Sequence, residues 1–323
     1  MRRKALLITG EGAPSLQTLP VPTPNRGEVL VRVKYSSLNY KDALALTGKG
    51  KIIRQFPCIA GIDLAGEVLA SNGTAWQQGQ RVVATGCGLG ETVDGGYCEI
   101  ACVASDHLVA LPAELQLQDA MRLGTAGFTA ALCLQRLEQN GQHPELGLVA
   151  ITGASGGVGM LATSMFARSK YDVLALTSKE NSYPQLLALG AKQVAAPDIL
   201  LLPDAPLHST RYGGAVDNLG GKYLVSLLKS VKLWGNVASV GLAAAAQFES
   251  NVFPHILRGV SLLGISSNNC PMSLRRQLWQ RLATDLKPPQ LAAISTTISL
   301  DELPSKAKQM FQRQTTGRIV VSI

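Results

Sequence analysis

Between Glu145 and Arg168 the chain carries no charged side chain, and at the centre of that stretch stands ITGASGGVGML, Ile151 to Leu161. The uncharged length would suffice for a membrane-spanning helix. However, Gly147, Gly153, Gly156, Gly157 and Gly159 fall inside it, and each glycine weakens a helix. The order of residue types points elsewhere. LGLVAIT is an apolar run with β-branched residues, small residues follow, and VGMLATSMFARS has helical period. The segment is read as strand, tight turn, helix.

A turn of this kind has a chemical use. Without Cβ atoms its backbone N–H groups can approach a pyrophosphate, and the following helix points the positive end of its dipole at the same charge. A second strand ends about 20 residues further on, the spacing of a dinucleotide-binding unit. A glycine-rich turn that serves only the packing of an α/β core is the competing reading. The second strand ends LALTSKEN, placing Thr177, Ser178 and Lys179 where an NAD site usually has an acid for the ribose 2′-hydroxyl. Hydroxyls and an ammonium suit a 2′-phosphate, so NADPH is the expected cofactor. Glu180, one residue on, works against that preference, and Lys179 as a solvated surface lysine is the alternative.

The 323 residues suggest two domains. The first third (EVLVRVKYSSL, AGEVLASNG, GQRVVATGCGLGETVDGGYCEIACV) consists of short apolar runs broken by glycines, which suggests a β-rich, partly open barrel. LQDAMRLGTAGFTAALCLQRLEQ then has helical period, and strands and helices alternate to about residue 264. Such alternation implies a Rossmann-type doubly wound parallel sheet, giving an α/β protein. The expected organisation is a catalytic domain over 1–122, a dinucleotide-binding domain over 123–264, and a return to the catalytic domain over 265–323. GRIVVSI would supply the returning strand.

Charge and cysteine usage narrow the function classes. The net charge is +8, but basic residues are dispersed without a dense Lys/Arg block, which argues against a nucleic-acid partner. A surface that attracts phosphorylated small molecules accounts for the charge equally well. The six cysteines form no CxxC pair, so reduced thiols in a cytoplasmic protein are expected. MRRKALLITGEGAP has only a four-residue apolar run, too short for a signal peptide.

PVPTPNRGEVLVRVKYSSLNYKDAL, CIAGIDLAGEV and GASGGVG occur in that order, and the chain resembles the medium-chain dehydrogenase/reductase superfamily. SSLNYKDALALTGKGKIIRQFP, GIDLAGEV and GTAGFTAALC resemble specifically its zinc-free acryloyl-CoA reductase group, related to the NADPH quinone oxidoreductases. The resemblance runs over essentially the whole chain. Zinc-dependent relatives carry Cys-His where this chain has Asn39-Tyr40 and Gly-His-Glu where it has Gly61-Ile62-Asp63. Two metal ligands are thus replaced, and no metal is expected. Asp63 would be a leftover acid or a structural carboxylate.

The resemblance implies NADPH-dependent reduction of an enoyl-CoA C=C bond, acryloyl-CoA to propionyl-CoA, with quinone or enone reduction as the alternative. Hydride goes to the β-carbon, the thioester carbonyl carries the enolate charge, and a proton reaches the α-carbon. It places Tyr40 beside the nicotinamide, as proton donor or ribose contact, with Asn39 and Asp42 orienting substrate or Tyr40. Structural roles compete: Tyr40 as a loop aromatic, Asp42 as a helix cap. Ser155, Gly156, Gly157 and Val158 are implied at the pyrophosphate, Asn218 and Leu242 along the cofactor, Ser266 near the nicotinamide, and Arg318 as a basic cofactor contact. Pro197, in AAPD, stands where relatives can offer an extra arginine, which leaves the 2′-phosphate contact mainly to Lys179. Lys49, Lys51 and Arg54 are either a site for coenzyme A phosphates or a solvated basic loop. A homodimer is expected through VSLLGISS, an apolar strand at a sheet edge.

Overall fold

A computed structural model describes residues 1–10 and 13–323. It divides into two compact units: 1–125 with 267–284 and 291–323, and 126–266 with 285–290.

The first unit opens with β1 (Arg2–Ile8), β2 (Ser15–Pro20), β3 (Glu28–Leu38) and α1 (Tyr40–Leu46). The strands β4 (Cys58–Ile59), β5 (Asp63–Ser71), β6 (Arg81–Thr85), β7 (Ile100–Ala104) and β8 (Val109–Ala110) follow. Next, α2 (Leu117–Gln139) carries the chain out of the unit. Its helical period hides a break: Gly124 sits at φ 52°, ψ −155°, a backbone conformation open essentially only to glycine.

In the second unit the alternation is regular. It comprises β9 (Val149–Thr152), α3 (Gly157–Arg168), β10 (Val173–Leu176), α4 (Tyr183–Ala188) and β11 (Gln193–Ala195). Then come β12 (Tyr212–Asp217), α5 (Gly221–Ser230), β13 (Val231–Ser239), α6 (Phe253–Arg258) and β14 (Ser261–Gly264). The chain re-enters the first unit with α7 (Met272–Ala283), β15 (Ser295–Ser299), α8 (Leu303–Phe311) and β16 (Arg318–Ser322).

The second unit holds a six-stranded sheet in the order β11-β10-β9-β12-β13-β14, parallel throughout. Every residue of β9, β10 and β12 is buried. Strands covered by helices on both faces read as continuous apolar runs, which is why VAIT and VLAL show no alternation. One flank of the sheet packs Leu174, Leu176, Leu224, Leu227, Leu228, Val231 and Val237 into a single core. On α3, Met160, Leu161, Met165 and Phe166 are wholly buried, each contributing roughly 1.5–3 kcal/mol of burial free energy.

The first unit is mainly antiparallel. One sheet runs β15-β16-β3-β5-β6-β8 with β7 also on β3, and a smaller one runs β2-β1-β4. The returning strand β16 pairs antiparallel with the end of β3, setting Ile319 opposite Leu38. That register places Arg318 at the level of the β3–α1 junction. No helix of the described residues is long and apolar enough to cross a membrane.

Candidate active site

Two regions carry the expected site residues. In the second unit, β9 ends at Thr152 and the chain turns through Gly153, at φ 59°, into α3. A Cβ on Gly159 would meet the Gly153 carbonyl oxygen and stand 2.5 Å from Ala154 Cα, so only glycine lets the helix start this close to the turn. Gly156 is exposed and extended, and Gly157 and Val158 at the start of α3 are half-buried. A turn with glycine at both 153 and 156, at the N-terminus of a twelve-residue helix, is a fitting cradle for a pyrophosphate.

Around the turn the polar groups are tied down. Ser155 Oγ lies 2.7 Å from Thr177 Oγ1, and both residues are buried. Thr177 Oγ1 also accepts from the Lys179 N–H at 3.2 Å. Ser178 is exposed and Lys179 half-buried, and burial lowers the Lys179 ammonium below its ordinary pKa. Asn218 donates its amide Nδ2 to the Thr152 carbonyl at 2.7 Å. Beside it, Asp217 is wholly buried and accepts from Thr152 Oγ1 at 2.6 Å and from the Gly220 N–H at 2.8 Å. Burial raises the Asp217 carboxyl. Leu242 and Ser266 are exposed in the same unit, as is Gly156, whereas Gly157 and Val158 are half-buried.

In the first unit, β3 delivers Ser37, Asn39 follows as the residue before α1, and Tyr40 begins α1. The Tyr40 side chain is 41% exposed and its phenol makes no hydrogen bond among the described residues. Its neighbours differ. Asn39, 8% exposed, is clamped at both ends of its amide: Nδ2 donates to Asp63 Oδ2 at 2.8 Å, and Oδ1 accepts from Arg318 Nη1 at 3.1 Å. Asp42 is buried at the third position of α1. Its carboxylate accepts from the backbone N–H groups of Asn39 at 2.9 Å and Ile62 at 3.0 Å. Burial first, and the Asp63 charge second, push the Asp42 carboxyl up to about 7.

These placements bear on three expected roles. The amide of Asn39 is engaged and Asp42 faces inward as a helix-start partner, contacts that suit the expected orienting of Tyr40 and the helix-cap role of Asp42. Arg318, expected as a cofactor contact, is 2% exposed in the first unit, where it also donates to Ser37 Oγ at 2.9 Å and the Arg122 carbonyl at 2.9 Å. The guanidinium compensates two buried acids rather than reaching outward. Asp63 and Tyr97 complete the cluster: Asp63 accepts from Ser37 Oγ at 2.5 Å, and Tyr97 Oη donates to the Ser37 carbonyl at 3.0 Å. Burial and the charge of Asp42 raise the Tyr97 phenol well above its ordinary range. The sequence signal for this cluster was present, since an arginine heading an apolar strand and an acid inside IAGIDLAG both require buried partners.

Among the described residues no group of three or more His, Cys, Asp or Glu side chains is arranged to hold a metal ion. Lys49, Lys51 and Arg54 are exposed on the loop after α1, in the same unit as Tyr40.

Residues 25–113 match the alcohol dehydrogenase GroES-like domain. The acrylyl-CoA reductase AcuI of Ruegeria pomeroyi is 42% identical over 310 residues, covering 96% of this chain and 92% of that protein. The solved structure of Escherichia coli K-12 YhdH with bound NADPH is 42% identical with a TM-score of 0.94, covering 98% of this chain and 99% of that one. Bacillus subtilis YhfP, solved with NAD bound, is also 42% identical, with a TM-score of 0.95 and complete coverage of both chains. Likeness of this extent runs through both units, and the chain belongs to the medium-chain dehydrogenase/reductase family, in the acryloyl-CoA reductase group related to the quinone oxidoreductases.

Proposed function

We propose that the chain is an NADPH-dependent reductase of the C=C bond of short enoyl-CoA thioesters, converting acryloyl-CoA to propionyl-CoA. The observation that carries this reading is a free, half-exposed phenol at Tyr40, set on a rigidly clamped Asn39, in a chain 42% identical along its length to an acrylyl-CoA reductase. NADPH, when bound, supplies hydride to the β-carbon. The turn at Ser155 to Val158 holds the pyrophosphate through backbone N–H groups and the α3 dipole. Ser178 and Lys179 take the 2′-phosphate, buried Thr177 holds that turn from behind through its bond to the Lys179 N–H, and Asn218, Leu242 and Ser266 line the remaining length of the cofactor. Tyr40 donates from its phenol, either to the enolate oxygen as a hydrogen bond or to the α-carbon as the proton that completes reduction. Asn39, Asp42 and Arg318 act behind Tyr40 rather than on the substrate. Lys49, Lys51 and Arg54 offer charge for the phosphates of coenzyme A.

NADPH oxidation followed at the nicotinamide absorbance, with acryloyl-CoA, longer enoyl-CoAs, simple enones and quinones, tests the reading. Acryloyl-CoA should give the highest kcat/KM. Turnover of quinones alone would favour the second reading, quinone or enone reduction, which the family relationship supports. The reaction is expected to run without metal, because Asn39 and Ile62 stand at two ligand positions of zinc-dependent relatives. Stoichiometric zinc in the purified protein, with activity lost to chelators, would contradict this.

The same reading includes a homodimer and a cytoplasmic setting. β14 is the edge strand of the parallel sheet. In the same unit Trp234 is 74% exposed and Ile256 68%, with Leu233 and Leu257 also exposed. An edge strand and exposed apolar side chains are hazards that pairing with a second copy removes. A monomeric mass by light scattering at micromolar concentration would count against it. All six cysteines are free, which suits a reducing compartment.

A further inference from the structure

We propose that Asp63 and Arg318 form a positioning centre that fixes the Asn39–Tyr40 loop and ties it to Thr125, the last residue before the chain leaves the first unit. The inference rests on the reading of Tyr40 as the reacting phenol and assigns the residues that hold it in place.

A single carboxylate serves both segments. Asp63 Oδ2 accepts from Ser37 Oγ at 2.5 Å, Asn39 Nδ2 at 2.8 Å and the Thr125 N–H at 2.9 Å. Asp63 Oδ1 accepts from Thr125 Oγ1 at 2.6 Å. Arg318 closes the centre from the β16 side through Ser37 Oγ and Asn39 Oδ1. An asparagine amide with a carboxylate on its nitrogen and a guanidinium on its oxygen has one orientation, since a flip would reverse both contacts. The Asn39 backbone is held as well, by its N–H bond to Asp42. Tyr40 therefore starts α1 from a backbone fixed through its neighbour's side chain and main chain.

The glycine at position 124 belongs to the same device. A Cβ there would stand 2.7 Å from Arg318 Nη2, Asp63 Oδ2 and Ser37 Oγ. The break in α2 thus brings bare backbone against the centre and hands Thr125 to Asp63. Three charged groups buried together carry a large desolvation cost, and apolar residues of similar size would often stabilise a fold as well. Two acids against one arginine also leave the centre one proton from neutrality. Asp42 faces Asp63 from α1, with Tyr97 and Arg318 completing its ionisable surroundings, and its carboxyl lies near 7.

Asp63→Asn in the full chain tests this. It keeps the side-chain size but removes the charge and turns one acceptor into a donor. The expected results are a kcat for acryloyl-CoA about tenfold or more lower, with KM and the NADPH dissociation constant within about twofold of the unmodified values. Backbone amides of residues 40–46 should exchange hydrogen faster. The limb of the kcat–pH profile near neutrality should move to lower pH, because the Asp63 charge no longer raises Asp42. Unchanged kcat and pH profile would overturn the proposal, as would a kcat loss that only tracks the folded fraction. Where Asp63→Asn does not fold, Thr125→Val decides by removing one hydroxyl donor. A kcat loss of about threefold or more at unchanged Tm supports the centre, and an unmodified kcat refutes it. If the parent chain reduces no enoyl-CoA, the Tyr40 reading fails instead, and the exchange measurement on residues 40–46 still decides the positioning claim.

Discussion

Gly159→Ala isolates the close approach of α3 to its turn. The added Cβ would meet the Gly153 carbonyl oxygen, and it would stand 2.5 Å from Ala154 Cα and 2.8 Å from Ala154 C. All three are backbone atoms, so no side chain can rotate away. Ordinary carbon contacts lie at about 3.5–4 Å, so helix and turn must separate by about 1 Å. Overpacking of this kind costs about 1–3 kcal/mol. At roughly 2–4 °C of Tm per kcal/mol for a unit of this size, Tm should fall by about 2–12 °C. The displaced turn no longer presents its N–H groups in register, and NADPH affinity should weaken by about tenfold, which quenching of protein fluorescence measures. Gly156→Ala is the control. Its Cβ would find only the Gly153 oxygen, at 3.3 Å, and its backbone is extended, so Tm should change by less than about 2 °C. Equal Tm and NADPH affinity in Gly159→Ala and the parent chain would refute the packing argument.

Tyr40→Phe should lower kcat by roughly 100-fold with NADPH affinity nearly unchanged, the scale expected for loss of a general acid; a fall below about threefold removes the phenol from the chemistry. Lys179→Ala should weaken NADPH by about tenfold and NADH hardly at all, and equal weakening of both in binding titrations would place Lys179 away from the 2′-phosphate. Asp42 contributes to stability with a definite sign. Its carboxyl is raised from 3.8 to about 7, so its folded-state proton stabilises the chain below the unfolded value and that contribution is lost as pH rises through about 7. Urea unfolding between pH 5 and 8 should therefore show stability falling with pH more steeply in the parent chain than in Asp42→Asn, and parallel profiles would contradict the buried-acid assignment.

The parallel sheet was legible because its signal is local. VAIT and VLAL are short apolar strands, and the glycines between Thr152 and Met160 disfavour a continuous helix while permitting the positive φ and close approach of a tight turn. The break in α2 was not legible, because a glycine inside RLGTAGFTAAL leaves the helical period intact. Only the Asp63–Arg318 centre packed against it shows why the backbone leaves the helix there. The same long-range geometry altered the reading of Arg318. A basic residue near the chain end suggests an outward contact, but pairing of β16 with β3 carries it inward to Asn39 and Ser37. Tyr40 was singled out by resemblance and is the exposed member of its cluster. Asn39 and Asp42, within two residues of it in sequence, differ from it because both are buried and turned toward Asp63.

Deuterium transfer from NADPH labelled at C4 of the nicotinamide tests the central claim most directly. With acryloyl-CoA and the unmodified chain, label on one face of C4 should appear in propionyl-CoA at the β-carbon, one deuterium per product molecule, while the α-carbon takes its proton from solvent. Label at the α-carbon, or unlabelled product from both the C4 pro-R-labelled and the pro-S-labelled NADPH, would contradict hydride delivery to the β-carbon of an enoyl thioester.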